Sequence, residues 1–382
     1  MRKIQGRASS KFQVFIGTVV TSAVPFYSRH DKILVTQKLG LNCLGYLGII
    51  TSLPSPKTLL LPEVVGNVSE EDILQLQHGD IVSINDHGEI SVLWEIESHQ
   101  NVLFLTDACH CRCRMCPQPP QKHDNFHYIT ALRILDLLKD AKPSDICITG
   151  GEPTIIKEQF KHILMRCAKE HPGAVINVLT NAIPFADEDY AKDVAGIINK
   201  NVVFCVSLHS DIDLEHDRIV GLSGAYAKTQ AGIYNLAKHG VSVEIRYVIN
   251  KINYSRTAEF AAHLYRYFPF ACHYVFMGLE ICGLAEENID EVYIRPKDYY
   301  NELREAVLFL SRRGLRTSVY NAPLCFCHPD IYSFARMSIS SWKNKYLEIC
   351  EKCIKVEQCC GFFTTSSIVD SQMVQPFQLD SN

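Results

Sequence analysis

Hydrophobic positions change their spacing near residue 100. Before it, apolar and polar residues alternate, the two-residue period of half-buried strands. The clearest case is Gly79–Trp94, where two alternating arms flank Asn85-Asp86-His87-Gly88, and that turn chemistry predicts a hairpin. Ser52-Leu53-Pro54-Ser55-Pro56 reads as a loop. Residues 1–98 are therefore expected to form a β-rich domain. Arg2, Lys3, Arg7 and Lys11 ahead of the run Val14–Val20 are laid out like a signal peptide, but Thr18, Thr21 and Ser22 break the pattern and no A-x-A site follows. The β-branched content of the run makes a strand the better reading.

From residue 101 short apolar runs alternate with helical periods. Strands are predicted at Val102–Leu105, Ile146–Thr149, Val175–Leu179, Val202–Leu208, Val243–Ile249 and Tyr274–Met277. Between them, one helix is expected to bury Ile129, Leu132, Leu135 and Leu138. Another is expected to bury Ile156, Phe160, Ile163 and Cys167 before Pro172-Gly173 stops it. The pattern describes an α/β chain with a helix-covered parallel sheet, and six units suit a partial (β/α)6 TIM-like barrel better than a closed eight-unit one. This core takes in 99–322, ending with a helix near Tyr299–Arg312. Residues 323–368 form a cysteine-rich segment, and 369–382 read as a flexible tail.

Polar residues gather at the predicted strand ends: a cysteine loop after the first, Gly150-Gly151-Glu152-Pro153 after the second, then Thr180-Asn181, Ser207 and His209, and Glu280. In barrel folds those ends form the active face.

Composition narrows the chemistry. A net charge of −4 argues against nucleic acid, which leaves a basic footprint. No apolar run reaches the roughly 18 residues of a membrane span. Most of the sixteen cysteines fall within 109–116 and 325–360. In a reducing cytoplasm, the expected location, such clusters read as metal ligands. Cys147, Cys167, Cys205 and Cys272 lie in apolar segments and are expected to be small buried hydrophobes.

Cys109, Cys113 and Cys116 are spaced C-x3-C-x2-C. Three thiolates on one loop can hold three irons of a cubane cluster and leave the fourth open. A structural zinc is the alternative, and Cys111 could substitute as a ligand. In Ile148-Thr149-Gly150-Gly151-Glu152-Pro153-Thr154, two glycines allow close backbone approach to a ligand, and Glu152 offers an acceptor for an ammonium group.

Together these motifs resemble the radical S-adenosylmethionine (SAM) superfamily over roughly residues 99–282. The resemblance implies a [4Fe–4S] cluster on Cys109, Cys113 and Cys116, with SAM on the open iron. It places Gly150, Gly151 and Glu152 at the methionine amino group, Ser207 at the ribose and Arg246 at the carboxylate, and counts Asn181 among the cofactor-binding residues. A capping serine and a salt-bridged arginine are the plain alternatives for Ser207 and Arg246. Met115 stands where the family has an aromatic residue; an apolar contact to adenine survives the change. No further catalytic residue is assigned.

Cys350-x2-Cys353-x5-Cys359, with Cys325 upstream, resembles the auxiliary-cluster segment of SPASM/twitch-type radical enzymes that modify peptides. Phe363 occupies the position of a further cysteine, so one auxiliary iron–sulfur cluster is expected. Cys327 and Cys360 are spare, and a structural zinc on the same four thiols is the alternative. Over most of the chain, Cys116-Pro-Gln-Pro-Pro120, Leu279-Glu280, Asn321-Ala-Pro-Leu-Cys325, Ser340-Ser-Trp-Lys343 and Cys359-Cys-Gly-Phe-Phe363 resemble the C-type radical maturase of the His-Xaa-Ser system. That resemblance implies a peptide or small-protein substrate bearing His-Xaa-Ser repeats, a companion radical maturase, and an electron donor such as flavodoxin or ferredoxin. The rivals are a radical enzyme acting on RNA or a small molecule, and a non-catalytic metal-binding module.

Overall fold

The computed structural model describes residues 2–55, 61–366 and 374–378. Contacts gather the chain into two units, residues 1–104 with 125–147 and 166–175, and residues 105–124 with 148–165 and 176–382.

The first unit contains a mixed sheet of β1 (Arg2–Gln5), β2 (Arg7–Ala8), β3 (Phe15–Val20), β4 (Lys32–Val35), β5 (Gly48–Ile50), β6 (Glu63–Gly66), β7 (Ile81–Ile84) and β8 (Glu89–Trp94), in the order β1-β8-β7-β3-β4-β5-β6-β2. The run at Val14–Val20 is thus largely the strand β3. The expected hairpin is β7–β8. Asn85 Oδ1 accepts from the His87 and Glu89 amides, and Gly88 takes the left-handed conformation with φ 78°. Ile4, Ile33, Val65, Val82 and Ile90 form its core.

The helix Phe126–Leu138 corrects a sequence expectation. It buries Ala131, Ile134, Leu135 and Leu138, while Ile129 is 60% exposed. Repeated i+3 steps drift by about 60° each on a helix of 3.6 residues per turn, so Ile129 and Leu138 cannot share a face. In contrast, Lys157–Glu170 buries Phe160, Ile163 and Cys167 as expected.

A second sheet runs in sequence order through β9 (Val102–Phe104), β10 (Asp145–Thr149), β11 (Val175–Thr180), β12 (Val202–Ser207), β13 (Ser242–Val248), β14 (His273–Met277) and β15 (Thr317–Tyr320). β11 to β15 pair in parallel. The architecture is α/β, with a seventh strand, β15, beyond the six expected. Its two faces differ. Phe204 and Tyr247 point to helices, where Phe204 meets Phe160 and Phe185 edge-on and Tyr247 stacks on Phe260. One residue away on the same strands, Cys205, Glu244 and Arg246 point the other way, joined by His273 and Ser318. That second face is polar.

Among the scattered cysteines, Cys167 and Cys205 are buried and Cys147 is half-buried. Cys272 is exposed, against expectation, because it immediately precedes β14. Among the described residues, no helix is long and apolar enough to cross a membrane.

Candidate functional site

The cysteine loop follows β9. Leu105 N–H pairs with Thr149 O, and the loop's later amides are held by the helix Asp213–Val220: Arg112 N–H donates to Val220 O and Arg114 N–H to Ile219 O. Leu284 N–H closes on Cys116 O at 2.9 Å. Two loop side chains turn inward. Cys111 is 1% exposed, packed with Val220 and Ala225; Met115 is 7% exposed, packed with Ile219, Ala285 and Val292. The role of Cys111, open from sequence, is that of a buried anchor. Cys109, Cys113 and Cys116 stay half-buried.

Those three thiols feel one another's charge. Burial raises the Cys113 and Cys116 thiols, and neighbouring thiolates raise them further. Cys109 is shifted the other way, chiefly because the Cys111 thiol donates a hydrogen bond to it. Ionising all three requires a compensating cationic group. Among the described residues, no three His, Cys, Asp or Glu side chains converge where one ion could sit. Three thiols on one loop are the soft donor set that an iron–sulfur cluster takes.

Gly150 and Gly151 make their close approach to this loop's own backbone. A Cβ on Gly150 would lie 2.6 Å from Thr106 O, and one on Gly151 2.5 Å from Ala108 O. Gly151 N–H donates to Thr106 O and Glu152 N–H to Ala108 O. Glu152 is 1% exposed. Its Oε1 accepts from Thr154 N, Thr154 Oγ1 and Thr180 Oγ1, and its Oε2 from Asn181 N at 2.7 Å. The carboxylate thus ties the end of β10 to the end of β11, a role that spacing alone does not reveal. Asn181 Nδ2 faces Cys111 Sγ at 3.6 Å and Cys109 Sγ at 4.0 Å.

Ser207 and Arg246 are register partners on β12 and β13. Arg246 Nε donates to Glu244 Oε1, and Glu244 Oε2 meets His273 Nδ1 at 2.7 Å. His273 Nε2 meets Ser318 Oγ at 3.0 Å. Burial alone would raise the Glu244 carboxyl, but His273 and Arg246 hold it down at about 2. Arg246 is thus salt-bridged, with the Tyr320 ring 5.9 Å from its guanidinium carbon. His209 is buried, its imidazole pushed to about 3 by desolvation, and so neutral. Glu280 binds Lys343 Nζ at 2.9 Å and Thr365 Oγ1 at 2.6 Å, which ties the C-terminal segment to the end of β14.

The second cysteine group comes together. Cys325, Cys350, Cys353 and Cys359 line one partly open pocket of about 340 Å³, with Phe362, Val374 and Phe377 among its apolar walls. Leu324 N–H donates to Cys359 Sγ and Phe377 N–H to Cys353 Sγ, each at 3.4 Å. Burial raises the Cys325 thiol to about 11. A hydrogen bond from the Cys360 thiol, with help from backbone amides, lowers Cys359 to about 6. Four sulfurs, amide donors and apolar walls fit an iron–sulfur cluster. The spare Cys327 and Cys360 are buried. Val374–Phe377, within the expected tail, are the contribution that sequence reasoning missed; Val-Gln-Pro-Phe carries no ligand or motif to signal it.

Comparison with known proteins bears on the first site. The chain resembles the crystal structure of Streptococcus suis SuiB bound to S-adenosylmethionine, with a TM-score of 0.50 and 16% identity over 60% of this chain and 52% of that one. It thus spans about half of SuiB. Native anSMEcpe with bound AdoMet gives a TM-score of 0.46 at 15% identity, over 69% of this chain and 88% of that one. TsrM from Kitasatospora setae, with cobalamin and a [4Fe–4S] cluster bound, gives 0.37 at 14%, over 47% and 34%. No curated protein matches the chain. Residues 103–264, which carry the cysteine loop, Gly-Gly-Glu, Ser207 and Arg246, match the model of the Radical SAM superfamily.

Proposed function

We propose that this protein is a radical SAM enzyme that modifies a peptide or small protein. The observation that carries the reading is the cysteine loop itself: three half-buried thiols on a backbone locked to Gly150-Gly151-Glu152, with Cys111 and Met115 turned inward as anchors. The family-model match over 103–264 and the SuiB-like fold support it.

Cys109, Cys113 and Cys116 would hold the [4Fe–4S] cluster, and Gly150, Gly151, Glu152, Asn181, Ser207 and Arg246 would bind SAM. Once bound and reduced, the cluster would supply the one electron that reductive cleavage of SAM needs, and the cleaved cofactor would supply the means of taking hydrogen from a substrate. The chain's own residues bind, orient and exclude side reactions. Glu152 fixes the ends of β10 and β11 around the loop. Glu244 orients Arg246 through its Nε. Met115 offers an apolar contact. It packs near Leu279, which also lines a partly open, largely apolar pocket with Ile249, Tyr293, Phe326 and Phe363. Such a pocket suits an apolar substrate side chain.

The second thiol group, whose four sulfurs share one pocket, supports an auxiliary cluster and hence a peptide substrate. We assign the target to the His-Xaa-Ser repeat proteins, on the resemblance stated above, with a companion maturase and a flavodoxin or ferredoxin donor in the cytoplasm. Anaerobic, reconstituted and reduced protein is expected to form 5′-deoxyadenosine from SAM; no formation defeats the enzyme reading. Mass spectrometry of a co-expressed His-Xaa-Ser protein tests the target, and an unchanged mass defeats that assignment.

A further inference from the structure

Residues 374–378 contain no cysteine, histidine or acid, so they supply no ligand in the ordinary sense. Yet they lie against the C-terminal thiols. Phe377 N–H donates to Cys353 Sγ at 3.4 Å, and Phe377 O accepts from Ile354 N–H at 3.0 Å, a reciprocal pair that fixes the strand of chain beside Cys353. Gln375 lines the same pocket as Cys325. Val374 is 6% exposed, buried with Phe326 and Phe362. The Phe377 ring meets Tyr332 edge-on at 5.3 Å, and Lys355 Nζ caps both rings at 4.6 and 4.7 Å.

We propose that Val374–Gln378 forms the outer wall of the C-terminal iron–sulfur site, its Phe377 amide tuning one ligand sulfur and its side chains screening the site from solvent. The inference rests on the auxiliary-cluster reading. The physics is specific. Reduction places extra negative charge on the cluster and its thiolates, and amide donors stabilise that state and raise the potential. Apolar walls limit the access of water and oxygen. Phe377 acts through Cys353, so it is a positioning residue.

The experiment uses the anaerobically reconstituted full chain, with iron and sulfide content, a spectroscopic redox titration and the rate of bleaching in air as readouts. Phe377→Pro removes the amide donor; Phe377→Ala keeps it and removes the ring. Val374→Ala, which keeps every amide, is a second wall variant, should Phe377→Pro fail to fold. The alanine and proline variants at 377 and Val374→Ala are expected to bleach several-fold faster than the parent. Phe377→Pro is expected to show a lower midpoint potential than Phe377→Ala, or to lose iron that Phe377→Ala keeps. Parental bleaching rates in all three variants, or matched midpoints in the 377 pair, overturn the wall. Cys353→Ala is the separate control: iron content and spectrum equal to the parent's would defeat the auxiliary cluster itself, whatever the 374 and 377 variants do.

Discussion

The two cysteine sites are built in opposite ways. At Cys109–Cys116 a loop of regular scaffold partners does the holding: strand β9 before it, amide bonds to Ile219 and Val220, and Glu152 fastened between β10 and β11. The C-terminal thiols sit between short 3-10 turns, Leu324–Phe326, Glu348–Lys352 and Val356–Gln358, with one two-stranded ribbon, β16 (Asn344–Lys345) and β17 (Phe362–Phe363), beside them. A scaffold of packed strands and helices keeps its shape without a guest. A segment of turns around four sulfurs, with only small apolar clusters at Phe326–Phe362–Val374 and Ile339–Cys360–Phe363, would gain much of its order from a bound metal. Both sites share one feature, a buried extra cysteine, Cys111 or Cys360, close in sequence to a thiol that is shifted down, Cys109 or Cys359.

The largest effect separates the sites by chemistry. Cys113→Ala should cut 5′-deoxyadenosine formation at least ~10³-fold, as loss of one member of an obligate unit does. Cys353→Ala should leave that cleavage measurable while lowering bound iron by roughly half, the share of one of two clusters. A Cys113→Ala variant that still cleaves SAM sinks the ligand assignment. Metal removal comes next. Chelation should speed proteolysis within 323–366 about tenfold and leave the parallel sheet resistant; equal protection in both regions breaks the comparison.

The scaffold side should fail without reference to iron. Glu152→Ala leaves the Thr154, Thr180 and Asn181 donors unpaired and is expected to cost about 3 kcal/mol, read by denaturant unfolding of the metal-free chain. Glu244 gives the smallest effect. Its folded carboxyl, at about 2, lies below the ordinary 4.5, so its contribution is complete above pH 4.5 and disappears as pH falls towards 2. Relative to Glu244→Gln, the parent should lose on the order of 2–3 kcal/mol over that window. Parallel pH curves for the two proteins would contradict the pairing.

Much of the α/β core was legible because β10 to β14 are apolar runs bounded by turn residues, and because cysteine spacing is a one-dimensional signature. β15 was not: Thr317-Ser318-Val319-Tyr320 is short and half polar, and only neighbouring β14 makes it a strand. The Ile129 error came from a spacing that drifts around a helix. Glu152 was singled out as an acceptor for an ammonium group, but the four donors it meets come from residues up to Asn181, and such long-range partners leave no local trace. For the same reason nothing in Val374–Gln378 announced where it would lie.

The amide bonds that hold the cysteine loop also order its biosynthesis. Cys116 leaves the ribosome 168 residues before Leu284, whose amide closes on its carbonyl. At elongation rates of about 5–20 residues per second that interval is roughly 10–30 s. For that time the nascent chain carries three thiols without the clasp that shapes them. If those thiols hold the proposed cluster, iron delivered before residue 284 emerges would meet an unfinished cradle, and cluster insertion would follow translation of the core.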